Sequence, residues 1–281
     1  MKRIYKFSPI IIAAALLCSC GQTSAQPAAA TAAPAQTTAA QVTEAAPETT
    51  SAEPAPLTAV PEGAQYSDFH SGMPAGFEAS DGWTNGSMFN VTWRKSNVTL
   101  DGGDMQLIID KDASPKGGIP YSGGEFRSKD FYGYGLYEVS MKAIKNDGVV
   151  SSFFTYTGPS DNNPWDEIDV EILGKDTTQV QFNYFVNGKG GHEFMYDLGF
   201  DASEDFHTYA FDWREDSITW LVDGEEVHKV EKEPSKLPST PSKIMMNAWC
   251  GTGVDGWLNA FNDTNLPLTA EYRWLMFTPA G

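Results

Sequence analysis

The sequence predicts an all-β domain built as a two-sheet antiparallel jelly-roll sandwich. From about residue 63 to residue 281, short runs alternate apolar and polar residues with a period of two, the period of a β-strand. Clusters of Gly, Asn, Asp and Pro separate these runs. No helical pattern of useful length competes with them, apart from a turn near 202–205. Many antiparallel strands in one domain of this size favour two packed sheets.

The alternating runs predict the strands individually. The Asp-Gly pair at Asp223 and Gly224 lies between two of them and is a strong hairpin signal. The predicted strands cover residues 105–109, 136–141, 149–155, 167–172, 180–185, 207–213, 218–222, 226–230 and 244–249.

Residues 1–20 are predicted to be a targeting segment rather than part of the fold. A basic start precedes an apolar run, 7–17, that is too short to span a bilayer as a helix. The run ends in Leu-Cys-Ser-Cys-Gly, which resembles a bacterial lipoprotein signal with Cys20 as the lipidated residue. Ordinary signal cleavage after Ala25 is the alternative. The preferred interpretation predicts an extracellular, cell-surface lipoprotein anchored to the bacterial membrane.

Residues 21–62 are predicted to form a disordered tether. They consist of Ala, Thr, Pro, Gln, Ser and Glu with almost no large apolar side chains. Such a segment cannot bury enough surface to offset the entropy of its chain, and its prolines stiffen it only in part. The jelly-roll domain is therefore expected to span residues 63–281.

Charge and cysteine content exclude several classes of function. The chain has a formal net charge of −18, nearly all of it beyond residue 62, and this charge repels the phosphates of nucleic acid. Neutral polymers meet no such repulsion. Cys250 is the only cysteine of the predicted domain, so no internal disulfide can form, and a small buried packing residue is a better interpretation than a nucleophile. The four histidines lack metal-ligand spacing, and we expect no cofactor and no metal.

Three carboxylates occupy every second position of one predicted strand: Glu167, Asp169 and Glu171. Aliphatic residues fill the alternate positions, so one face of this strand is apolar and the other presents three acids. Like charges repel on a strand face, and strand propensity disfavours both residue types. A solvated face or a calcium site of oxygen ligands could produce the pattern. Paired carboxylates on either side of a glycosidic bond are also the machinery of most glycoside hydrolases.

The surrounding residues favour the hydrolase. The run WDEIDVEILGKDTTQVQFNY, beginning at Trp165, resembles the active-site strand of bacterial lichenases, the endo-1,3-1,4-β-glucanases of glycoside hydrolase family 16. Other stretches resemble the same family in the same order and span nearly the whole domain: TNGSMFNVTW, YGYGLYEVSMK, SSFFTYTGPSD, HTYAFDW and IMMNAWCGTGVDGW.

The resemblance implies a concanavalin-like jelly roll whose concave sheet forms an open cleft for a linear β-glucan. It implies a retaining double displacement in a monomeric enzyme, with Glu167 as nucleophile, Glu171 as acid/base and Asp169 as the assisting acid between them. The substrate-binding positions that it implies are Asn85, Glu125, Arg127, Phe154, Tyr156, Trp165, Asn183, Asn247, Trp249 and Trp257.

The sequence departs from the pattern of the family in three respects. Val91 and Gly123 stand where bacterial lichenases often carry a disulfide. Arg273 stands where the family has the acid of a calcium site, which argues against bound calcium. Phe185 replaces a tyrosine of the cleft and removes a hydroxyl donor. None of these departures affects the three acids.

Other functions on the same fold remain open at this stage. A non-catalytic glucan-binding module could share the sandwich and the aromatic residues, but it would have no reason to place Glu167 and Glu171 together. Laminarinases usually carry one extra residue between the second and third acids, so the tight Glu-x-Asp-x-Glu spacing favours the lichenase branch. A transglycosylase shares that tight spacing and is separated from a lichenase less firmly.

Overall fold

The computed structural model describes residues 60–281. The predicted targeting segment, Cys20 and all but the last residues of the predicted tether lie outside the described residues. No helix among the described residues is long and apolar enough to cross a membrane. The described helical segments are one short α-helix, Asp255–Leu258, and four 3₁₀ turns: Phe69–Ser71, Lys95–Asn97, Pro159–Asp161 and Pro234–Lys236.

Residues 60–281 contain sixteen β-strands. In chain order they are β1 (Gln65–Asp68), β2 (Phe77–Ala79), β3 (Val91–Trp93), β4 (Val98–Asp101), β5 (Asp104–Lys116), β6 (Ile119–Ser128), β7 (Gly135–Lys142), β8 (Val149–Thr157), β9 (Asp166–Leu173), β10 (Gln179–Phe185), β11 (Phe194–Asp197), β12 (His207–Trp213), β13 (Ser217–Val222), β14 (Glu225–Glu231), β15 (Lys243–Cys250) and β16 (Leu268–Pro279).

The strands form two layers joined by one hydrogen-bonded edge. The first layer has the order β11-β10-β9-β8-β15-β6, and the second has the order β5-β16-β7-β12-β13-β14. Strands β5 and β6 pair with each other, so the hydrogen bonding continues from one layer into the other. All described pairs of strands are antiparallel except β3 with β6. This arrangement confirms the predicted all-β sandwich.

The core lies between the two layers and is rich in aromatic rings. Phe153 of the first layer contacts Phe211 of the second, with ring centroids 5.4 Å apart. Phe182 of the first layer stacks on Trp220 of the second, with ring centroids 5.6 Å apart. The alternate aliphatic residues of β9 are fully buried beneath the acids, and burying each such side chain contributes about 1.5–3 kcal/mol.

Each strand predicted from alternation is present, but alternation did not predict β1 to β4, β6, β11 or β16, of which β6 and β16 are the longest. β6 contains Gly123 and Gly124, which disfavour strands. Both glycines are required by close packing, since a Cβ would lie 2.8 Å from the Ala248 carbonyl oxygen at the first and 2.5 Å from the Asn97 carbonyl oxygen at the second. In β16 the pairing register with β7 shifts between Tyr272 and Trp274, which interrupts the period of two.

The two positions that lack the family's disulfide are neighbours in the fold. A Cβ built at Gly123 would lie 3.0 Å from Cγ2 of Val91, so the valine fills the space beside the glycine. Cys250 is fully buried, and burial raises the pKa of its thiol. It therefore packs as a small core residue, as expected.

Arg273 is held by a carboxylate and an aromatic ring. Its Nε lies 3.8 Å from Oδ1 of Asp104, and its guanidinium carbon lies 3.8 Å from the ring centroid of Phe206. Burial raises the pKa of Asp104, and the charge of Arg273 opposes that shift. The guanidinium thus supplies positive charge beside a partly buried acid. No group of three or more His, Cys, Asp or Glu within residues 60–281 could hold a metal ion.

Thermal unfolding of the protein is expected to be indifferent to chelator and to reductant. A guanidinium cannot lose its proton to coordinate a cation, and Cys250 has no second cysteine in the domain. Calcium at about a hundred times its dissociation constant would stabilise a binding protein by about 2.7 kcal/mol. Melting curves with EDTA, with millimolar calcium and with dithiothreitol test this. A melting temperature that rises by several degrees with calcium would show that a metal site survives.

Candidate active site

The strand register arranges the side chains of the concave face in rows. Side chains alternate along a strand, so residues two apart on β9 face the same side. Each acid of β9 therefore lies in a row that runs across β10, β9, β8 and β15. The three rows are Phe185–Glu167–Tyr156–Lys243, Asn183–Asp169–Phe154–Met245 and Gln181–Glu171–Ser152–Asn247.

These rows form the floor of an open cleft with a volume of about 970 Å³. Every residue predicted to act on or bind the substrate lines this cleft, including all three acids. Several of them are nearly covered by their neighbours. Glu125, for example, exposes 1% of its surface, and Trp249 exposes 3%. The catalytic and binding roles of these residues remain predictions, but the fold brings the whole set together.

The three acids interact strongly with one another. Burial raises the pKa of Glu171 to about 8, and repulsion from Glu167 adds to the shift. Burial also raises the pKa of Glu167 to about 7, although hydrogen bonds from Trp165 and Asp169 oppose this. The pKa of Asp169 is raised well above its ordinary value by burial and by repulsion from both glutamates. The hydrogen bond between Asp169 and Glu167 raises the pKa of Asp169 and lowers the pKa of Glu167, so Asp169 is the donor in this bond and Glu167 the acceptor.

A polar neighbour holds each of the two glutamates in place. The indole Nε1 of Trp165 donates a hydrogen bond of 2.5 Å to Oε2 of Glu167. The amide nitrogen of Gln181 donates a bond of 2.8 Å to Oε2 of Glu171. Trp257 in turn donates its indole N–H to the Gln181 carbonyl oxygen at 3.1 Å, which fixes the orientation of the amide.

Glu125 anchors a second polar network in the cleft. Its carboxylate accepts hydrogen bonds from Ser80 at 2.6 Å and from Asn85 at 3.2 Å. The buried indole of Trp93 donates to the Asn85 carbonyl oxygen at 3.0 Å, so the amide nitrogen of Asn85 must point at Glu125. Burial raises the pKa of Glu125, and its charge in turn raises the pKa of Glu167.

Aromatic rings form the walls of the cleft. Trp165 is 39% exposed and stacks on Phe185 with ring centroids 5.1 Å apart. Trp83 is equally exposed, and the guanidinium of Arg127 lies 4.9 Å from its ring centroid. Flat aromatic faces suit the apolar C–H faces of sugar rings.

Sequence reasoning missed several residues of the site. Gln181 belongs to the same alternating series as Asn183, so the period of β10 could have found it. Glu193 and Trp83 lie in loops, where no periodic signal exists. Asp166 stands at a position of β9 where the alternation would place an apolar residue. Its carboxylate accepts hydrogen bonds from the backbone N–H groups of Asn187 at 3.0 Å, Ser239 at 3.0 Å and Thr240 at 3.1 Å. Those three bonds fix the start of the strand that carries the acids.

Replacing Glu193 with Gln is expected to move the alkaline limb of the pH–activity profile to lower pH. The charge of Glu193 raises the pKa of Glu171 by repulsion, so its removal lowers the pH at which Glu171 loses its proton. The acidic limb should stay in place, because Glu193 is not among the groups that shift Glu167. The measurement is kcat/KM on a soluble β-glucan from pH 4 to pH 10.

The control for this test is Glu233→Gln, which removes a carboxylate that is 79% exposed and does not line the cleft. An unchanged alkaline limb in Glu193→Gln, or an equal shift in the control, would contradict the expected effect.

Comparisons with known proteins agree with this site. A family model described as glycosyl hydrolases family 16 matches residues 85–273. A xylanase/beta-glucanase of Ruminococcus flavefaciens is 58% identical over 219 residues, which are 76% of this chain and 27% of the relative. A beta-glucanase of Acetivibrio thermocellus is 55% identical over 218 residues, covering 78% of this chain and 62% of the relative. The chain therefore spans less than two thirds of the length of either relative.

A solved structure gives the same result for the fold. The crystal structure of a prokaryotic beta-1,3-1,4-glucanase (lichenase) from a mouse hindgut metagenome superposes with a TM-score of 0.73 at 51% sequence identity. The superposition covers 77% of this chain and 99% of that structure.

Proposed function

The chain belongs to glycosyl hydrolase family 16, and from this we propose that it is a retaining endo-β-glucanase that hydrolyses mixed-linkage 1,3-1,4-β-glucan, such as lichenan and cereal β-glucan. The observation that supports this best is that three acids of one strand, β9, lie together in the floor of an open cleft. The names of the similar proteins support the choice of substrate.

The proposed reaction proceeds in two displacements at the anomeric carbon. In the first, the carboxylate of Glu167 attacks that carbon while Glu171 gives its proton to the departing glycosidic oxygen. In the second, Glu171 takes a proton from water, the water oxygen attacks the same carbon, and the bond to Glu167 breaks. Two inversions leave the anomeric configuration unchanged. The higher pKa of Glu171 suits a proton donor, and the hydrogen bond from Asp169 suits an ionised Glu167.

The spacing of the acids supports the activity of a lichenase over that of a laminarinase. Glu167, Asp169 and Glu171 alternate through a regular strand whose register with β8 and β10 is unbroken. An extra residue between the second and third acids would bulge that strand.

Product analysis on three polysaccharides tests the proposed function. Incubation with lichenan should release short oligosaccharides of β-configuration, detected by NMR before mutarotation, whereas laminarin and xyloglucan should release far less. Faster hydrolysis of laminarin would assign the chain to that branch instead. Products longer than the substrate, formed in place of free reducing ends, would indicate a transglycosylase. Binding without turnover would indicate a glucan-binding module.

We further propose that the mature protein is held at the cell surface by lipid on Cys20. The apolar run before it and the Leu-Cys-Ser-Cys-Gly sequence support this, and two or three acyl chains on one cysteine bind a membrane firmly. Native protein should enter the detergent phase on partitioning, and Cys20→Ala should leave that phase or remain unprocessed. The control is Cys18→Ala, which should partition as the native protein does. Native mature protein that begins at Gln26 would contradict the proposal.

A further inference from the structure

Two side-chain hydrogen bonds cross the sandwich from the second layer to the floor of the cleft. The indole Nε1 of Trp220, on β13, donates to the backbone carbonyl of Asp169 at 3.1 Å. The hydroxyl of Tyr272, on β16, donates to the backbone carbonyl of Ser152 at 2.9 Å. Both donors are almost fully buried, so neither bond competes with bulk water.

The two acceptors lie at the centre of the catalytic machinery. Asp169 is the middle acid of β9, and Ser152 on β8 is in register with Glu171. A carbonyl oxygen has two lone pairs, so each acceptor can keep its bond within the sheet and accept another from below. The backbone beneath the acids is therefore bonded to the second layer at two points.

If the middle of a strand is held closer to the second layer than its two ends are, the side chains that face the cleft change direction. A regular strand separates the Cα atoms of Glu167 and Glu171 by roughly 13 Å, whereas retaining hydrolysis requires their carboxyl groups about 5–5.5 Å apart. A strand that is concave toward the cleft tilts the side chains two positions before and two positions after its lowest point toward each other. Asp169 is at that central position.

We propose that Trp220 and Tyr272 are positioning residues, whose bonds to the backbone of Asp169 and Ser152 hold the floor of the cleft concave and bring Glu167 and Glu171 to the separation that double displacement requires. This inference rests on the proposed function. Neither residue touches the cleft, and the lining of the cleft includes neither of them.

The second layer contains matched controls for both residues. Tyr209 is fully buried, and its hydroxyl has no hydrogen-bond partner among the described residues. Tyr209→Phe thus removes the same atom as Tyr272→Phe without removing a bond. Trp213 is fully buried and donates to the carbonyl of Pro238 at 2.9 Å. Trp213→Phe therefore measures the stability cost of exchanging a buried, hydrogen-bonded indole for a phenyl ring.

The experiment compares the four Phe variants by melting temperature, by kcat and KM on lichenan, and by the pH dependence of kcat/KM. We expect kcat to fall about tenfold or more in Trp220→Phe and Tyr272→Phe with KM little changed, because displacement of reacting groups by about 1 Å can cost a hundredfold. Wider separation of the glutamates weakens their repulsion, so the alkaline limb should also move to lower pH. Tyr209→Phe should keep the kcat and pH profile of the unmodified enzyme.

Several results would overturn the positioning role. One is a Tyr272→Phe enzyme with unchanged kcat and alkaline limb. Another is a loss of kcat that follows melting temperature across all four variants. If Trp220→Phe does not fold while Trp213→Phe does, Tyr272→Phe decides alone, since it removes a single oxygen atom. If the unmodified chain hydrolyses no glucan, the proposed function fails, and the carboxyl titration of Glu167 and Glu171 followed by ¹³C NMR in Tyr272→Phe and Tyr209→Phe decides the positioning role.

Discussion

Replacing Glu167 with Ala is expected to abolish glucan hydrolysis, and added azide is expected to restore turnover with inverted anomeric configuration. Glu167 is the acid that receives hydrogen bonds from Trp165 and Asp169, as an ionised nucleophile should. Removing its side chain leaves space in the cleft floor for a small anion. Azide then attacks once, from the nucleophile's face, and a single displacement inverts the anomeric carbon.

The measurement is the rate and the NMR configuration of the glycosyl azide formed from a β-glucan oligosaccharide with a good leaving group. The melting temperature of the variant serves as the folding control; it should not fall, because a buried carboxylate with a raised pKa costs stability at neutral pH. An azide product of inverted configuration from Glu171→Ala, with a retained product or no rescue from Glu167→Ala, would show that the two roles are reversed.

Replacing Glu171 with Ala is expected to reduce kcat on polymeric glucan by about 10²–10⁴-fold, the usual contribution of a positioned acid or base. The departing sugar oxygen needs a proton, and Glu171 is the glutamate whose raised pKa keeps one available near neutral pH. An aryl glycoside whose leaving group is a stable phenolate needs little protonation, so formation of the glycosyl-enzyme from it should be nearly unaffected. A pre-steady-state burst of phenolate, followed by slow turnover, is the expected signature.

Glu171→Gln is the matched variant for this test. It keeps the size of the side chain and can still hydrogen-bond with Gln181, but it has no proton to transfer. The same loss in Glu171→Gln as in Glu171→Ala would assign the effect to proton transfer. Full activity of Glu171→Gln on polymeric glucan would exclude Glu171 as the acid/base.

The sequence predicted the parts of the site that follow the period of a strand. Glu167, Asp169 and Glu171 alternate with buried aliphatic residues, and the structure presents all three in the cleft. The family resemblance supplied the residues that come from other strands, including Glu125 and Asn247. Alternation alone could not have found them, because the residues that face them across the sheet are distant in sequence.

Other features could not be predicted because they depend on contacts between distant segments. The bond from Trp220 to the backbone of Asp169 joins residues 51 positions apart, and nothing near either residue signals it. Gly123 disfavours a strand by local propensity, yet the approach of the Ala248 carbonyl requires a residue without a side chain there. The partners of Arg273 are likewise set by packing: the Phe206 ring and the Asp104 carboxylate reach it from separate elements.

The pairing of β1 with β16 has a consequence for modularity. Gln65 and Phe277 are directly opposite each other in this pair, so the two ends of the domain emerge side by side, within about 5–6 Å. Both strands belong to the layer that faces away from the cleft. A domain with adjacent ends can be inserted into a loop of a host protein, or its ends can be joined by a short linker and new ends opened elsewhere, without separating its sheets. Fusion at this junction would leave the cleft unobstructed.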